Sequence, residues 1–495
     1  MICVSIGRSR HGMVLAEHRH LVEQGAQMVE LRLDYIRGDV NLRRLLANRP
    51  SPVLITCRRE VDGGKFAGSE QDRLVLLRTA IAEGAEYIDL EEDVAASIPR
   101  FGKTKRVVSL HDFRKTPDNL EEIFQRLSRL DPDIIKICTM ANRPHDNVRM
   151  LRLIQKATVP TVGVCMGDIG VPSRILAGRF GAPFTFATFH HERTLAPGQL
   201  SYDDMVNVYR YDQINEQTEV YGVIADPIGH SLSPLIHNAA FVERNLNKVY
   251  LPIRVPREDL QSFLEEATQL NIKGISVTIP HKEGVLGALT KADQTVQGIG
   301  ACNTIVFDQG QRLGYNTDCR AAMESLEESL GGVRGGHDPL TGKTALVMGA
   351  GGVGKAIAYG LIRRGTQVLL TDGQPRVAER LAKRLTCRTI DWAKRHTVSA
   401  DILVNGTPVG MHPNVDETPF PKHHLRPAMV VFDAVYNPES TLLVKDARAR
   451  NCRVITGVDM FVRQACLQFK LFTGQDGPAE TMRSVIRHKI AAAKY

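Results

Sequence analysis

Short apolar segments alternate with helical patterns through the first part of the chain, and this alternation limits the fold more than any other feature. The segments are ICVSIG, MVELRLD, VLITCR, YIDLE, RVVSLHDF, IIKICTM, VPTVGVCMG and FTFATF. Between most of them lie stretches such as NLEEIFQRLSRL and NVRMLRLIQKA, which place apolar residues at helical spacing. Eight strands that alternate with helices predict an α/β fold, a parallel (β/α)8 barrel. A doubly wound sheet is the competing interpretation.

The size and composition of the chain limit its class. A chain of 495 residues is too long for one ordinary core, so two or three domains are expected. The nine cysteines form no CxxC pair, which favours a reducing cytoplasm over disulfides or structural zinc. No signal-peptide pattern and no apolar run long enough for a membrane span is visible, so we expect a cytoplasmic protein without a membrane partner. The net charge of +8 is spread along the chain, which favours small anionic substrates over nucleic acid.

Polar side chains gather where these predicted strands end. They are Glu30, Arg32, Asp34, Arg58, Asp89, Glu91, His111, Asp112 and Lys136. In a βα barrel the carboxyl ends of the strands form the mouth that carries the active site. Arginines can hold a carboxylate, an imidazole can move protons near neutral pH, and a lysine can capture a ketone as a Schiff base.

Lys136 lies in the middle of the apolar stretch DIIKICTMA, and two interpretations are open for it. It can be the charged residue of an edge strand that faces water. Alternatively it is buried, in which case desolvation disfavours the charged form and leaves a nucleophilic amine.

Six motifs resemble those of the type I 3-dehydroquinate dehydratases. They are ELRLD, TCR, SLHDF, IIKI, PSRILAGRFG and APGQ, in the order of that family and across residues 1 to about 215. The resemblance implies that Lys136 is the Schiff-base lysine and His111 the proton-transfer base. It also implies a set of residues that bind the carboxylate and hydroxyls of the substrate: Glu30, Arg32, Arg58, Arg174 and Gln199.

Two positions depart from that family pattern. Asp62 stands where the family usually has a Glu that helps to orient the histidine, and its side chain is one methylene shorter. Leu195 replaces a Ser that commonly touches the substrate from a closing loop. Neither change removes a group that the chemistry requires, but both affect the expected turnover and loop closure.

A second enzyme-like region follows the first. The stretch SYDDMVNVYRYDQIN (201–215) predicts the last helix of the barrel, and EQTEV then serves as a short linker, which places the boundary near residue 218. Further on, KTALVMGAGGVGKAIAYGLIRRG (343–365) has the strand–turn–helix pattern of a dinucleotide-binding loop. The residues expected at the pyrophosphate are Gly349, Ala350, Gly351, Gly352, Val353 and Gly354. The next strand ends in Asp372, the position that usually reads the adenosine ribose.

The polar loops of this region complete a second resemblance. GHSLSPLIHNAAF, GISVTIPHK, GACNTIV and GYNTD, together with the glycine-rich loop, resemble the shikimate dehydrogenases across residues 219 to 495. The resemblance implies that Lys282 and Asp318 form the catalytic pair. It assigns the substrate carboxylate and hydroxyls to Ser231, Ser233, Thr278, Asn303 and Gln464. Ser276 departs from the usual Asn of that family.

The two resemblances imply three domains and one function. The domains are a dehydratase barrel at 1–218, a substrate-binding domain at 219–320 completed by helices at 457–495, and a Rossmann-like domain at 321–456. The function is that of a fused shikimate-pathway enzyme, without a metal, that converts 3-dehydroquinate to 3-dehydroshikimate and then to shikimate. Two alternatives stay open: a non-catalytic regulator of the same folds that senses pathway metabolites, and quinate as the substrate of the second half. The sequence does not indicate the oligomeric state.

The cofactor expectation is divided between NADP and NAD. The family mostly uses NADP, which it binds through an Asn-Arg-Thr type of loop followed by another Arg. This chain has TDGQPR (371–376) there, so that Asp372 stands about where the first Arg is expected. A carboxylate accepts hydrogen bonds from the free ribose hydroxyls of NAD and repels a 2′-phosphate, whereas Arg376 can still pair with phosphate.

Overall fold

The computed structural model describes residues 1–229, 231–332 and 336–492, which form two compact units. The first unit contains Met1–Gly222, Asp226–Ser231 and Asn247–Asn271. The second contains Val223–Ala225, Leu232–Leu246 and Ile272–Tyr495. Residue 230 of the predicted substrate-binding domain, residues 333–335 of the predicted Rossmann-like domain and residues 493–495 of the predicted C-terminal helices lie outside the described residues.

Eight parallel strands form the sheet of the first unit. They are β1 (Ile2–Ile6), β2 (Met28–Arg32), β3 (Val53–Thr56), β4 (Tyr87–Glu91), β5 (Lys105–Asp112), β6 (Ile134–Met140), β7 (Thr161–Met166) and β8 (Thr185–Thr188). Their order is β7-β6-β5-β4-β3-β2-β1-β8, and β1 pairs in parallel with both β2 and β8. Because the first strand pairs with both the second and the last, the sheet is a near-closed barrel. The barrel prediction is confirmed, and the doubly wound interpretation of this region is wrong.

Helices connect the barrel strands. They are α1 (His11–Glu23), α2 (Leu42–Leu46), α3 (Glu70–Ala82), α4 (Leu120–Ser128), α5 (His145–Lys156) and α6 (Val171–Leu176). In α4 the buried residues are Leu120, Ile123, Phe124 and Leu127, which fall on one face at helical spacing. Covered by helices outside and by side chains inside, the strands are buried along nearly their whole length, which explains their continuous apolar runs.

The helix predicted for residues 201–215 is wrong in its extent. The chain is helical only at 202–208, with a π-helical turn at Asp204–Val208, and then forms a 3₁₀ turn at Tyr211–Gln213. Arg210, between the two turns, has a φ of 48°, in the left-handed region. A continuous right-handed helix cannot pass through that conformation.

The second sheet holds six strands. They are β9 (Glu219–Ala225), β10 (Lys248–Arg254), β11 (Ile272–Val277), β12 (Lys291–Ala292), β13 (Thr304–Asp308) and β14 (Gln311–Tyr315), in the order β10-β9-β11-β13-β14-β12. The accompanying helices are α7 (Ser233–Glu243), α8 (Leu260–Glu266), α9 (Gln294–Ile299) and α10 (Thr317–Ser329). The strand β13 is antiparallel to both β11 and β14, which distinguishes this mixed sheet from the barrel.

The third sheet is parallel and doubly wound. Its strands are β15 (Thr344–Met348), β16 (Gln367–Thr371), β17 (Arg388–Thr389), β18 (Ile402–Asn405), β19 (Val430–Asp433) and β20 (Arg453–Ile455). Its order, β17-β16-β15-β18-β19-β20, reverses between β15 and β18, where such sheets bind dinucleotides. The remaining helices are α11 (Gly352–Arg363), α12 (Pro375–Leu385), α13 (Leu442–Ala449), α14 (Gly457–Thr473) and α15 (Ala479–Ala492). Across the described ranges, none of the helices has the length and apolar character needed to cross a bilayer.

Candidate active sites

The residues that the sequence assigns to the first site line one cavity at the mouth of the barrel. They are Glu30, Arg32, Arg58, His111, Lys136, Arg174 and Gln199. Strands or strand ends carry the first five, α6 carries Arg174, and the segment after β8 carries Gln199. The two departures from the family pattern, Asp62 and Leu195, line the same cavity. The barrel therefore brings together side chains that lie up to 169 positions apart, from Glu30 to Gln199.

Lys136 is a buried interior residue rather than an edge charge. Its strand pairs on both sides, with β5 and β7, and the residue is 5% exposed. The Nζ atom lies 3.0 Å from Oδ2 of Asp89, 3.4 Å from Oε1 of Glu30 and 4.2 Å from the ring centroid of Phe186. Burial lowers the pKa of Lys136, but the carboxylates of Asp89 and Glu30 outweigh it, so the pKa is raised overall. The expectation that burial leaves a neutral amine is wrong, because the two carboxylates favour the charged form, and a base must take the proton first.

Asp89 is a central residue of the site to which the sequence assigned no role. It is fully buried on β4, and it accepts hydrogen bonds from Lys136 and from the Ser109 hydroxyl (2.6 Å). It also forms an ion pair with Arg58, at 2.8 Å. Burial raises the pKa of Asp89, but the charges of Arg58 and Lys136 lower it by more. The pKa is therefore below its usual range, and the carboxylate is ionised at neutral pH. The signal that could have found it is charge balance, since buried cations require buried anions.

His111 is a neutral base at the wall of the cavity. Its ring stacks on Phe113 with 6.1 Å between centroids and 16° between planes. Desolvation, followed by the charges of Arg58 and Lys136, holds the pKa of His111 well below its usual range. The imidazole is therefore unprotonated at pH 7 and can accept a proton.

Asp62 forms an ion pair with Arg59. Its Oδ2 accepts a 2.6 Å hydrogen bond from Nε of Arg59, which also pairs with Asp93 at 2.8 Å. Within the described residues, no hydrogen bond joins Asp62 to His111. The ring of His111 is instead stacked beside Phe113.

Arg174 is a buried cation with donors left over. It is 2% exposed, and its Nη2 donates to the carbonyl of Pro197 at 3.0 Å, while Nε has no protein partner. Burial lowers the pKa of Arg174 to about 10, so it still carries its charge at neutral pH. By contrast Arg58 and Arg32 are already paired with carboxylates, Arg32 with both oxygens of Asp34. An unsatisfied buried guanidinium is a binding site for an anion.

Gln199 organises the loop over the mouth. Its Oε1 accepts hydrogen bonds from the backbone N–H groups of Leu195 (2.8 Å) and Ala196 (3.1 Å). The carbonyl of Pro197, which Arg174 contacts, also accepts a 3.1 Å hydrogen bond from the backbone of Gly167. Residues 195–199 are hereafter called the lid; Leu195, Ala196 and Gln199 of this segment line the cavity.

A second candidate site centres on Lys282 and Asp318. The Lys282 Nζ donates to Oδ2 of Asp318 at 2.5 Å, and both side chains are largely buried. Asp318 lies in the first turn of α10, which Asn303 holds in place. The Oδ1 of Asn303 accepts from the backbone of Thr317, and its Nδ2 donates to the Thr317 hydroxyl, both at 2.8 Å. The predicted pair is thus in contact, and Asn303 is tied to the same turn.

The other predicted substrate ligands lie on separate elements. Ser231 precedes α7 and Ser233 is its first residue, Thr278 follows β11, and Gln464 is buried on α14. Ser276 donates a 2.9 Å hydrogen bond to Oε1 of Gln468. The departure at Ser276 therefore connects its strand to α14 through Gln468.

The glycine-rich loop fits a dinucleotide. A Cβ atom on Gly354 would lie 1.9 Å from the carbonyl oxygen of Gly349, whose φ is +96°, whereas Gly351 faces open space. The loop thus has the close turn and the open helix N-terminus that a pyrophosphate needs. A Cβ on Gly352 would lie 3.1 Å from Cδ of Lys282, so the loop reaches the catalytic pair. Ala350 and Val353 belong to the same turn and first helical residues.

Asp372 directly follows β16 and is hydrogen-bonded to this loop. Its Oδ2 accepts a hydrogen bond from the backbone of Ala350, and its Oδ1 accepts one from the backbone of Gln374, both at 2.8 Å. Arg376 is exposed in the first turn of α12. Over the described part of the chain, no group of three or more His, Cys, Asp or Glu residues is placed to hold a metal ion.

Family models match both halves of the chain. Residues 2–216 match type I 3-dehydroquinase, and residues 223–305 match the shikimate dehydrogenase substrate binding domain. Residues 343–431 match the coenzyme F420-dependent NADP oxidoreductases, and residues 457–487 match the shikimate 5′-dehydrogenase C-terminal domain. The second half is also similar to a crystal structure of shikimate dehydrogenase in complex with NADP+, with a TM-score of 0.52 and 36% identity over 56% of this chain and 97% of that one. A quinate dehydrogenase from Corynebacterium glutamicum in complex with NAD has a TM-score of 0.50 and 31% identity over 55% of this chain and 99% of that one.

One relative matches nearly the whole chain. The chloroplastic bifunctional 3-dehydroquinate dehydratase/shikimate dehydrogenase of Arabidopsis thaliana is 37% identical over 97% of this chain and 83% of its own length. This single relative therefore covers both the barrel, which holds the lysine cavity, and the second half, which holds the glycine-rich loop. The chain belongs to the family of bifunctional 3-dehydroquinate dehydratase/shikimate dehydrogenases.

Proposed function

We propose that the barrel dehydrates 3-dehydroquinate to 3-dehydroshikimate through an imine on Lys136, and that the second half reduces this product to shikimate. The observation that carries the first activity is the cavity in which a buried lysine, a neutral imidazole and an unsatisfied arginine meet. Each of the three groups has one place in a dehydration that proceeds through an imine. A non-catalytic regulator is not favoured, because the chain belongs to a family of enzymes. The four proposed catalytic residues are also all present: Lys136, His111, Lys282 and Asp318.

Binding begins with the carboxylate of the substrate. Arg174 has a free Nε donor in the cavity, and an anion there satisfies a charge that the protein leaves unpaired. Arg58 and Arg32 are held by their own carboxylates, which fixes their remaining N–H donors for the substrate hydroxyls. Glu30 is similarly fixed, by the hydroxyls of Ser5 and Thr56.

Chemistry begins with the transfer of a proton from Lys136 to a base, because the neighbouring carboxylates keep the lysine charged. His111 is neutral and can receive that proton. The free amine adds to the ketone, and loss of water gives a protonated imine, whose positive charge Asp89 and Glu30 stabilise. His111, once neutral again, removes the acidified proton from the adjacent carbon and returns it to the departing hydroxyl. Water then hydrolyses the imine, so the net change is the loss of one water molecule.

The second reaction needs a hydride and a proton. The bound nicotinamide dinucleotide supplies the hydride, and the loop of Gly349 to Gly354 would hold its pyrophosphate. Lys282 donates a proton to the oxygen of the ketone as it becomes an alkoxide, and Asp318 orients the ammonium group. We assign the substrate hydroxyls to Thr278, Asn303 and Gln464, and the carboxylate to Ser231 and Ser233.

A coupled assay with the full chain tests the proposed function. Added 3-dehydroquinate should produce the absorbance of the conjugated enone, and added NADPH should then remove that absorbance while it is oxidised. A chain that binds 3-dehydroquinate but forms no enone would establish the regulator alternative. In the reverse direction, shikimate should be oxidised faster than quinate, since the two serines of SLSP favour shikimate; a faster rate with quinate would assign the second half to the quinate dehydrogenases.

The cofactor proposal rests on Asp372. We propose that NADP is bound, as in the shikimate dehydrogenase structure, but with a weaker preference over NAD than that family shows. The carboxylate is fixed by two backbone N–H groups just after β16, the place where such folds usually read the ribose, so a 2′-phosphate there would meet repulsion. One lost contact and one added repulsion amount to about 2 kcal/mol, roughly thirtyfold.

The ratio of kcat/KM for NADP and NAD, measured with shikimate, tests this proposal. Asp372→Asn keeps an acceptor for the loop but removes the charge, so it should shift the ratio towards NADP by about tenfold. Asp372→Arg should shift it further, and Arg376→Ala should shift it back towards NAD. A native preference for NADP of about a thousandfold or more would contradict the role of Asp372 and leave Arg376 as the deciding group.

The domain boundaries and the compartment are part of the proposal. We place the dehydratase barrel at 1–218, the substrate-binding domain at 219–320 with 457–495, and the dinucleotide domain at 321–456. The family models, which end at 216 and resume at 223, support the first boundary. All nine cysteines are free, which supports a reducing compartment, and we propose the cytoplasm. The name of the Arabidopsis thaliana relative assigns that protein to the chloroplast.

A further inference from the structure

The side chain of Leu195 occupies a niche in the wall of the barrel mouth. A Cβ atom on Gly7, in the loop after β1, would lie 2.8 Å from Cδ2 and 3.1 Å from Cδ1 of Leu195, and 3.0 Å from Cδ1 of Tyr35. Gly7 thus forms the floor of the niche because it has no side chain, and Tyr35 lies beside it. Gly7 does not adopt a positive φ, so an alanine there would not strain the backbone. Its methyl group would instead displace Leu195.

Tyr35 connects this niche to a substrate-binding arginine. The guanidinium carbon of Arg32 lies 5.0 Å from the ring centroid of Tyr35, and Nζ of Lys65 lies 4.2 Å from it. The carboxylate of Asp34 holds Arg32 by two hydrogen bonds and accepts a third, of 3.0 Å, from the backbone of Lys65. The ring therefore lies close to two cations, and its Cδ1 atom and the methyl groups of Leu195 crowd the same space beside Gly7.

We propose that Leu195, Gly7 and Tyr35 form an apolar latch that keeps the lid closed without substrate and, through Tyr35, positions Arg32. The inference rests on the proposed dehydratase function and goes beyond it, because it assigns lid closure to contacts within the protein. A serine in this position would hold the lid closed mainly by touching the bound substrate. An apolar side chain in an apolar niche closes the lid with or without that substrate.

Lid opening can be measured without any catalytic turnover. The peptide bond after Arg193 lies two residues before Leu195, and the side chain of Arg193 is half exposed. The carbonyl of Arg193 accepts a 2.6 Å hydrogen bond from the hydroxyl of Thr188, so trypsin can cut there only when the loop detaches. The rate of cleavage at this bond, followed by mass spectrometry under native conditions, reports the open population.

The experiment compares cleavage after Arg193 in the full-length native chain and in four variants. Leu195→Ser should raise the cleavage rate about tenfold, because it removes the apolar contact, and Leu195→Met should leave it within about twofold of native. Gly7→Ala should also raise the rate about tenfold, because the new methyl group displaces Leu195. Gly12→Ala is the matched control: a Cβ there meets nothing within 4 Å, so the rate should not change.

The outcomes separate the latch from the proposed function. Cleavage of Leu195→Ser and Gly7→Ala at the native rate would overturn the latch. Faster cleavage in both, with Leu195→Met and Gly12→Ala unchanged, would establish it. Tyr35→Leu retains the apolar contact but loses the cation–π contact with Arg32. If this variant raises KM for 3-dehydroquinate by a larger factor than it lowers kcat, the result would support the positioning of Arg32 by Tyr35. A failure of the native chain to form a borohydride-stable adduct with 3-dehydroquinate would instead contradict the proposed dehydratase chemistry, independently of the cleavage rates.

Discussion

Replacement of Lys136 should abolish the dehydration of 3-dehydroquinate and leave the oxidation of shikimate unchanged. The amine is the only group in the proposed mechanism that bonds to the substrate, so its loss removes the imine and with it the acidity of the adjacent proton. The dehydratase rate should fall by at least about 10⁴-fold. The second activity uses Lys282 and Asp318, which belong to the other compact unit.

The choice of substituent decides how clearly this result can be interpreted. Lys136→Ala leaves the buried carboxylates of Asp89 and Glu30 without their cation, and such a loss typically destabilises a protein by about 3–5 kcal/mol. Lys136→Arg keeps a positive charge but cannot be deprotonated, so it should be equally inactive in a more stable protein. Lys156→Ala, at the exposed end of α5, is the matched control and should retain native activity.

Two measurements check the prediction. Sodium borohydride added during turnover should leave a covalent adduct on the peptide that contains Lys136 in the native chain, and no adduct in either variant. Shikimate oxidation reports whether the variant is folded. If Lys136→Arg dehydrated 3-dehydroquinate at more than about a tenth of the native rate, the imine mechanism would be wrong.

Replacement of Lys282 should have the second largest effect, on the other activity. Lys282→Ala should lower kcat for shikimate oxidation by about 10³-fold and change KM much less, because the proton is transferred only during the reaction. Dehydration of 3-dehydroquinate should stay at the native rate. Lys273→Ala, an exposed lysine on the neighbouring strand β11, is the control and should oxidise shikimate normally.

A double variant distinguishes a catalytic pair from two independent residues. Lys282 and Asp318 are in direct contact, so their effects should not be additive. We expect kcat for shikimate oxidation in the double variant Lys282→Ala/Asp318→Asn to lie within about threefold of kcat in Lys282→Ala alone. If kcat in the double variant instead fell by the product of the two single-variant reductions, Asp318 would act on the substrate independently of Lys282. If Lys282→Ala kept native kcat, another group would have to supply the proton.

The strands could be predicted from the sequence because burial on both faces of a barrel produces local apolar runs. YIDLE and IIKICTM coincide with β4 and β6 to the residue. The positions of the site residues followed from motifs at the ends of those strands. The helix predicted at 201–215 failed because the left-handed conformation of Arg210 has no distinctive signal in the sequence.

The electrostatics of the site could not be predicted from the sequence. The raised pKa of Lys136 depends on Asp89 and Glu30, which lie 47 and 106 positions away along the chain. Burial alone predicts the opposite direction, because it is a property of one residue, whereas the pairing is a property of three strands. The same is true of Asp62, whose bond to Arg59 replaces the contact with His111 that the family resemblance implies.

The unsatisfied Nε of Arg174 has a consequence for the stability of the protein. A buried donor that lacks a protein acceptor typically costs about 1–3 kcal/mol of stability, so an anion that accepts a hydrogen bond from this atom should raise the free energy of unfolding. A ligand at concentration L that binds only the folded state raises the free energy of unfolding by RT ln(1 + L/Kd), so the melting temperature rises with ligand concentration even after the site is saturated. We therefore expect the melting temperature of the protein to depend on the anions of its medium: sulfate or phosphate that binds at Arg174 should stabilise the fold and compete with the carboxylate of the substrate.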